Sequence, residues 1–388
     1  MRFYFSSIII FVFQICISQI ITGKITNENG NPLENVRIYI DGSQYSSNSN
    51  EKGSFSINLQ NQKYGNLVFQ KENYDVYSID IAKLATENNN IELKKYKDIE
   101  EIVLTPYTEE AYKNFIGYFL NEFIGMDLEN VKIKNQKTLK FSYDKANKLL
   151  KVKAPKTLII TNHNLGYEIY YDLISFESNF NSKMVLYSGT SYFKETSKKN
   201  IAKENRANAY YGSMMHFFRS VYTKTTEQEG YIVNHVIKTP NKNYPTNEEL
   251  TKLGNFQKEV SGAKLISIPT EIANISYRKN NEKPYILSVL KAKIPENNYT
   301  KWIEGLLYLD FEDILHVNFK KYYFEFKKGE LKKTESFTNT TTFLYPENKQ
   351  FQIYADGNIS DPTALILQGY FPTQKIENLL PLDYQVGD

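Results

Sequence analysis

The sequence predicts a β-rich protein, in which an N-terminal β-sandwich is followed by a mixed α+β domain. Three observations favour this fold class. Short alternating segments recur about every ten residues between Ile20 and Lys97. From Glu109 onward, helix-period and strand-period segments alternate. The chain also contains 31 Tyr and 24 Phe against one Trp, and strands favour aromatic side chains. With 388 residues the chain is long enough for two hydrophobic cores.

Residues 1–18 are predicted to be a signal peptide. Arg2 supplies one positive charge, and an apolar run extends from Phe3 to Ile17. The run is shorter than the ~18 to 20 residues of a spanning helix, and polar sequence follows it. The small residues Cys16 and Ser18 place the cleavage site before Gln19, with lipidation of Cys16 as the alternative. We therefore expect export, to the periplasm or to an outer-membrane-associated or extracellular position.

Removal of this leader leaves a chain without cysteine, because Cys16 is the only one. Disulfides, thiol catalysis and cysteine-ligated metals are therefore excluded from the mature protein. The loss of Arg2 leaves 46 basic against 44 acidic residues, 46 − 44 = +2. Such a balance gives no electrostatic footprint for nucleic acid. No later apolar window is long enough for a transmembrane span.

Six strands are predicted in the first region, and none is separated from the next by a helix. They are TGKIT, NVRIYI, SFSINL, NLVFQ, VYSIDI and NIELKKY. The clusters between them, NENGNP, DGS, NSNEKG and NQKYGN, supply the Gly, Asn and Asp that tight turns need. This pattern is typical of a small antiparallel sandwich.

The same region resembles a known module in specific positions. These are Gly23, the turn from Gly30 to Leu33, Val36, the Asp41-Gly42 turn, the turn from Asn50 to Gly53, and Phe55. The sequence is similar to the carboxypeptidase regulatory-like domain, a prealbumin-like Greek-key module of secreted Gram-negative proteins that include TonB-dependent receptors. The resemblance implies the fold of residues 19–97 and is nearly silent on activity.

Residues 98–108 are predicted to be a linker. The stretch IEEIVLTPYT, from Ile99 to Thr108, resembles the segment that leaves this module in its larger relatives. In a receptor the linker would lead to a plug and a barrel, but the remaining residues lack the serial alternating strands of a barrel. Residues 109–388 are therefore assigned to one α+β domain.

Three helices are predicted in this second region. The first covers Glu109 to Gly125, with Ala111, Phe115, Tyr118, Phe119 and Phe123 on one face. The second is the stretch ENRANAYYGSMMHFFRS, in which Tyr210, Met214, Phe217 and Val221 form one apolar stripe. The third, TNEELTKLGNF, has Asn247 as its predicted cap.

The remaining segments of this region are predicted to be strands. They are KTLKFSYD, NKLLKVKAPKTLIITNH, GYEIYYDLISFES, KMVLYSGTSYF, KPYILSVLKAKIP, ILHVNFKKYYFEFKKG, ESFTNTTTFLYP and FQIYADGNIS. The chain as a whole is similar to uncharacterised secreted bacterial proteins that carry the regulatory-like domain. That resemblance depends on residues 162–176, residues 205–222 and the segment from Asp356 to Gln385.

The motifs of common hydrolases are missing from the sequence. A metallocarboxypeptidase needs His and Glu three residues apart, but Gly166, Arg219, Lys238 and Phe319 follow the four histidines at that spacing. HExxH and G-x-S-x-G are also missing. We therefore predict no cofactor and no metal, and favour a non-enzymatic protein. Glu177, or the group Asp310, Glu312 and Asp313, leaves open a hydrolase that uses paired carboxylates.

Five residues are candidates for binding: Arg206, His216, Arg219, Tyr167 and Tyr171. Lysine outnumbers arginine more than eightfold, so two arginines on one helix indicate a need for a planar, multi-donor side chain. Arg206 is expected to be tied to a carboxylate or to carbonyl groups at a strand end. His216 is interpreted as a half-buried structural histidine. Tyr167 and Tyr171 are expected to share one face of a strand. There they either form an aromatic surface that binds a ligand or pack against neighbouring strands and stabilise the sheet.

These observations predict a secreted cell-envelope protein that binds an envelope protein or a glycan and does not bind nucleic acid. The missing catalytic motifs, the leader and the resemblance all favour it. Two alternatives remain open at this point. One is an envelope hydrolase that acts on glycans or peptides. The other is a periplasmic assembly factor for outer-membrane machinery.

Overall fold

The computed structural model describes residues 19–60, 62, 64–85, 87–96, 105–262, 266–347 and 350–388. The predicted signal peptide and residues 97–104, which hold most of the predicted linker, lie outside the described residues. The structure is rich in strands, which form several sheets, and this confirms the predicted β-rich fold class with mixed α+β elements.

The chain forms two compact units. Unit 1 contains the residues up to Tyr211, together with Phe324–Thr334 and Gln374–Asp388. Unit 2 contains Gly212–Tyr323 and Glu335–Thr373.

Unit 1 begins with a β-sandwich of two sheets. One sheet has the order β4-β1-β7, and the other has the order β3-β2-β5-β6. The strands are β1 (Ile20–Asn27), β2 (Arg37–Ile40), β3 (Ser46–Asn48), β4 (Ser54–Asn58), β5 (Asn66–Gln70), β6 (Tyr77–Asp80) and β7 (Asn89–Leu93). All six predicted strands are present. Strand β3 was not predicted; it consists of three polar residues, Ser-Ser-Asn.

The two sheets share one hydrophobic core. Their inward-facing residues include Ile25, Ile38, Phe55, Phe69 and Ile91, all nearly inaccessible to solvent. The rings of Phe55 and Phe69 meet edge to face at 5.3 Å between centroids. Burial of such side chains stabilises the fold by about 1.5 to 3 kcal/mol each.

The prediction of an antiparallel sandwich is wrong at one pair of strands. β1 pairs with β4 in antiparallel orientation but with β7 in parallel orientation, with Gly23 opposite Asn89. A parallel pair needs a crossover instead of a hairpin, and here strands β2 to β6 lie in the chain between its two members.

Gly53, in the turn before β4, has φ +73°, and a Cβ at this residue would lie 2.4 Å from the carbonyl oxygen of Ile25.

A six-stranded antiparallel sheet follows in unit 1. Its order is β8-β11-β12-β10-β9, and β13 pairs with β12. The strands are β8 (Val131–Ile133), β9 (Lys140–Asp144), β10 (Leu149–Lys153), β11 (Leu158–Asn162), β12 (Tyr167–Asn179) and β13 (Met184–Glu195). We call it the second sheet. The single predicted strand over residues 147–163 is in fact two strands, β10 and β11, separated by a turn.

Helix α1 (Glu109–Phe123) packs on the second sheet. Thr108 caps it by accepting a hydrogen bond from the Ala111 N–H at 3.1 Å, and Glu109 and Glu110 favour the positive end of the helix dipole. The predicted apolar face is confirmed. Ala111, Phe119 and Phe123 are buried, and the Phe119 ring packs on Phe141 and Phe176.

The stretch predicted as one helix from Glu204 to Ser220 is two helices. Helix α2 (Asn200–Tyr210) is followed by Tyr211, whose backbone is extended. Helix α3 (Met214–Thr223) begins after Ser213. Gly212 has φ +86°, a conformation that breaks a right-handed helix. Ser213 then caps α3 by accepting from the His216 N–H at 3.1 Å. The predicted stripe from Tyr210 to Val221 is therefore not one surface.

The described residues of unit 2 form two sheets and three α-helices. The larger sheet has the order β15-β14-β18-β19-β21, and the smaller one has the order β16-β17-β20. The strands are β14 (Tyr231–Pro240), β15 (Tyr285–Lys291), β16 (Thr300–Ile303), β17 (Leu306–Leu309), β18 (Ile314–Lys327), β19 (Glu330–Pro346), β20 (Phe351–Ile353) and β21 (Leu365–Gly369). The tip of the β18–β19 hairpin belongs to unit 1.

Helix α4 (Asn247–Glu259) has a different cap from the one predicted. Thr246, not Asn247, is the N-cap, and it forms a reciprocal capping box with Glu249. Helix α5 (Thr270–Asn281), which was not predicted from the sequence, packs on α4. Among the residues described above, no helix has both the length and the apolar character needed to cross a membrane.

Candidate functional site

Buried hydrogen bonds join the sandwich to the second sheet within unit 1. Tyr39 of β2 donates its hydroxyl hydrogen to Asp172 Oδ2 of β12 at 2.9 Å, and Thr190 Oγ1 lies 2.9 Å from the same hydroxyl. Thr157 donates to the other oxygen, Asp172 Oδ1, at 2.5 Å. Gln70 of β5 in turn donates to Thr157 Oγ1 at 3.0 Å. Both oxygens of the Asp172 carboxylate are thus used by the junction.

A second group of bonds fixes the turn after β2. The Ser191 N–H donates to Asp41 Oδ1 at 2.8 Å, and the Gly42 N–H donates to the Ser191 carbonyl at 2.7 Å. The C-terminal segment also contacts this turn, since the Leu382 N–H donates to the Gly42 carbonyl at 2.7 Å. Burial raises the pKa of Asp41 to about 6. The N–H groups of Ser191 and Gly42 act to lower it, and the negative charge of Asp172 adds to the rise.

A cleft of about 1410 Å³ lies beside this junction, between the sandwich and the second sheet. Five tyrosines line it: Tyr74, Tyr96, Tyr107, Tyr112 and Tyr170. We call it the tyrosine cleft. Side-chain amides and hydroxyls, among them Asn135 and Thr157, line it as well. Clefts that combine aromatic surface with a few polar groups are the usual small-molecule sites of proteins.

Arg37 lies in this cleft on the ring of a tyrosine. Its Cζ is 4.3 Å from the ring centroid of Tyr170 and 5.7 Å from that of Tyr192. These two tyrosines face each other across β12 and β13, with ring centroids 5.9 Å apart. A guanidinium over an aromatic face is attracted by the ring quadrupole, so the tyrosine pair holds the Arg37 side chain in the cleft.

Burial determines the ionisation of the groups next to Arg37. It raises the pKa of Asp172, although the hydrogen bonds from Thr157 and Tyr39 and the charge of Arg37 act in the opposite direction. Burial also raises the pKa of Tyr170, and the hydrogen bond that Tyr170 donates to Glu168 at 2.6 Å adds to this effect. The Tyr170 hydroxyl is thus occupied by Glu168, and its ring carries the Arg37 guanidinium.

Arg206 lies in unit 1 and is completely buried. Its Nε donates to the Leu165 carbonyl at 2.7 Å, its Nη2 to the Ser197 carbonyl at 2.7 Å, and its Nη1 to Glu195 Oε1 at 2.8 Å. Its Cζ is 4.2 Å from the ring centroid of Tyr167. The structure thus ties Arg206 to a carboxylate and to carbonyl groups at the ends of strands, as the sequence analysis expected of this residue.

His216 and Arg219 lie in unit 2, so the stretch predicted as one helix is divided between the units. His216 is only 2 % exposed. Its Nδ1 accepts from the Gly212 N–H at 3.1 Å, so Nε2 carries the hydrogen and faces Glu229 Oε2 at 3.1 Å. The prediction of a half-buried histidine understated its burial. Arg219 Nε donates to the Asp356 carbonyl at 2.9 Å.

Tyr167 and Tyr171 share one face of β12 as predicted, and that face is the buried one. Tyr167 packs edge to face on Phe193, and Tyr171 packs edge to face on Phe123. The ligand role suggested for this pair stays a prediction. The half-buried tyrosine between them, Tyr170, is the one that lines the cleft.

The carboxylates considered for hydrolysis lie in different units. Glu177 of unit 1 forms an ion pair with Lys151 at 3.1 Å, and Asp313 of unit 2 contacts His235 Nε2 at 2.7 Å. Within the part of the chain that the structure describes, no cluster of three or more His, Cys, Asp or Glu residues is arranged to hold a metal ion.

Arg37 and Tyr170 are not among the residues predicted from the sequence. One signal was available, since the scarcity of arginine that singled out Arg206 and Arg219 applies equally to Arg37. Its tyrosine partners are more than 130 residues away in the chain, and no local pattern joins them. The alternation of β12 separated Tyr170 from Tyr167 and Tyr171 but did not indicate which face was buried.

The comparison with known families assigns the N-terminal part of the chain. Residues 21–104 match the CarboxypepD_reg-like domain family. Among curated proteins, no match to this chain was found. The matched range begins in β1, includes all seven strands of the sandwich and extends beyond β7. The N-terminal sandwich is therefore a carboxypeptidase regulatory-like domain with a prealbumin-like fold.

Proposed function

We propose that this chain is an exported, non-enzymatic protein of the cell envelope that binds a glycan in the tyrosine cleft. The size and lining of the cleft are the observation that carries this proposal. Export is supported by the leader-like composition of residues 1–18, with Arg2 ahead of an apolar run. The alternatives, a hydrolase or an assembly factor, have no comparable observation in their favour among the described residues.

The surface chemistry of the cleft suits a sugar. A pyranose ring has apolar C–H faces and a polar rim of hydroxyls, so it needs flat aromatic surfaces with hydrogen-bonding groups beside them. Tyr74, Tyr96 and Tyr112 supply such surfaces, and the exposed Asn73 and Glu109 supply polar groups. The volume of about 1410 Å³ exceeds the roughly 300 to 1,000 Å³ of ordinary ligand pockets. An oligosaccharide therefore fits this cleft better than a single sugar.

The test is a binding measurement with purified protein. Isothermal titration against neutral and acidic hexasaccharides is expected to show saturable binding to at least one of them. Tyr96→Ala is expected to weaken that binding on the order of 10-fold, because it removes one aromatic surface from the cleft. Tyr323→Ala is the matched control: both tyrosines are 47 % exposed, and Tyr323 is not among the residues of the cleft.

Two results would contradict the proposal. One is that no hexasaccharide binds. The other is that the Tyr96 and Tyr323 variants lose affinity equally, since binding would then not depend on the cleft.

A further inference from the structure

The four arginines of the mature chain differ in how their donors are used. Arg206 donates to Glu195 and to carbonyl groups, Arg219 donates to the Asp356 carbonyl, and Arg278 donates to Asn274 and Glu249. The side chain of Arg37, a residue whose backbone pairs within the sandwich sheet, makes no hydrogen bond and no ion pair with any residue that the structure describes. It is held instead by the rings of Tyr170 and Tyr192.

This arrangement leaves the guanidinium ready to bind a ligand. Its contacts with the two tyrosine rings take none of the guanidinium N–H groups, so these donors stay available. The charge of Arg37 acts on the nearby Asp172, but the two side chains form no hydrogen bond or ion pair, and the Asp172 oxygens accept from Tyr39 and Thr157. Arg37 is half-buried and lines the tyrosine cleft. A half-buried cation whose N–H donors make no hydrogen bond is stabilised by an anionic partner.

The other charges of the cleft nearly cancel. Its lining contains Arg37 and Lys71, Lys140, Lys153 and Lys156 against Glu72, Asp75, Glu109 and Asp172, or 5 − 4 = +1. Lys156 and Glu72 form an ion pair at 2.9 Å. Long-range electrostatic attraction of an anion to the cleft is therefore weak. A preference for an anionic ligand must come from the planar guanidinium of Arg37, which presents two parallel N–H donors. A planar fork matches the two oxygens of a carboxylate.

We propose that Arg37 binds the carboxylate of an acidic sugar unit, so that the tyrosine cleft selects uronic-acid-containing glycans over neutral ones. This inference rests on the proposed function, because it names the class of glycan that the cleft accepts. Arg37 provides two parallel N–H donors to the carboxylate, and the tyrosine rings contact the sugar faces.

The experiment compares two ligands that differ only at C6, a hexamer of galacturonic acid and the corresponding neutral hexamer of galactose. The wild-type protein is expected to bind the acidic hexamer more tightly by at least on the order of 10-fold, the usual effect of a charge-assisted bidentate pair. Arg37→Gln is expected to abolish most of this preference. Arg37→Lys, which keeps the charge without the fork, is expected to restore only part of it.

Arg278→Gln is the matched control, since Arg278 lies in unit 2 and is not a residue of the cleft. It should leave the preference for the acidic hexamer unchanged, and thermal unfolding checks that each variant is folded. Equal wild-type affinity for the two hexamers would overturn the role of Arg37 and leave glycan binding intact. Full rescue by lysine would overturn the bidentate contact.

Failure to bind either hexamer would instead overturn the proposed function itself. Tighter binding of a hexapeptide of glutamate than of the acidic hexamer would also overturn it, because the carboxylate would then come from a peptide.

Discussion

The hydroxyl of Tyr39 and the carboxylate of Asp172, 2.9 Å apart, join the regulatory-like domain to the second sheet. Both residues are buried, with Tyr39 1 % and Asp172 8 % exposed. A buried carboxylate must have hydrogen-bond partners, because water is not available to replace them. The junction is therefore a structural contact that holds one wall of the tyrosine cleft in place.

Replacement of Tyr39 by phenylalanine should destabilise unit 1. The change removes only the hydroxyl, so Asp172 loses one of its two side-chain donors while the aromatic packing remains. We expect the free energy of unfolding to fall by about 1 to 3 kcal/mol, the cost of an unsatisfied buried polar group. Urea denaturation measures it. Tyr77→Phe is the control, because Tyr77 is 39 % exposed. Equal effects of the two substitutions would contradict the structural role of the junction.

Much of the fold could be predicted because its signals are local. The strands of the sandwich follow from alternation and turn residues, and α1 follows from its apolar face and Thr108. Local signals fail where one residue adopts an unusual conformation. Gly212 lies within a pattern of helical period, and nothing nearby in sequence shows that its φ is positive. Helix α5 was missed for a related reason, since its Asn, Ser and β-branched residues are weak helix formers.

The candidate site was harder to predict because it depends on pairing between distant strands. Arg37 meets Tyr170 only because β2 of the sandwich lies against β12 of the second sheet. Alternation along β12 predicts two faces, yet the buried face is decided by α1 and β13, which supply Phe123 and Phe193. The carboxylate partner of Arg206, by contrast, is only 11 residues away, and its existence could be inferred from the residue type.

Replacement of Gly212 by alanine should destabilise unit 2. Gly212 has φ +86°, and an added Cβ would lie 2.7 Å from Cδ1 of Phe319. Both the strained backbone and the close contact raise the energy of the native state, so we expect a loss of at least about 2 kcal/mol. Thermal unfolding measures it.

Gly254 provides the matched control for Gly212. It lies within α4, and an added Cβ would have no neighbour within 4 Å. Gly254→Ala is therefore expected to stabilise the protein by about 0.5 to 1 kcal/mol. If both alanine variants were more stable than the wild type, this would contradict the positive φ of Gly212 and the separation of α2 from α3 at this residue.

Asp41 should make stability depend on pH. Burial raises its pKa to about 6, above the roughly 3.9 expected in the unfolded chain. The native state therefore binds more protons between about pH 4 and pH 6, and the contribution of this group to the free energy of unfolding falls as the pH rises through that window. A difference of about two pKa units corresponds to roughly 2 to 3 kcal/mol.

Asp41→Asn isolates this contribution, because asparagine keeps the oxygen that accepts from the Ser191 N–H and removes the charge. The variant should gain stability relative to the wild type as the pH rises from 4 to 7, measured by urea denaturation at each pH. Asp310→Asn, which removes an exposed carboxylate, is the control and should follow the wild-type profile. Parallel profiles for wild type and Asp41→Asn would show that Asp41 is not buried as an ionisable group.

Arg206→Lys should cost more stability than His216→Gln, although both side chains are buried. Lysine has one ammonium group and cannot reach Glu195 and the carbonyls of Leu165 and Ser197 together, so it leaves buried acceptors unsatisfied. We expect a loss of about 3 kcal/mol or more. Glutamine in place of His216 retains polar atoms near Gly212 and Glu229, and we expect a loss of about 1 to 2 kcal/mol.

Thermal and urea unfolding of the two variants measure this difference. Arg278→Lys is the control for the chemistry of the substitution, because Arg278 is partly exposed and pairs with Glu249 near the surface, where replacement by another cation should have little effect. Equal losses for Arg206→Lys and His216→Gln would contradict the view that the fixed fork of Arg206 holds the strand ends together. A large loss for Arg278→Lys would show instead that any arginine in this chain resists replacement by lysine.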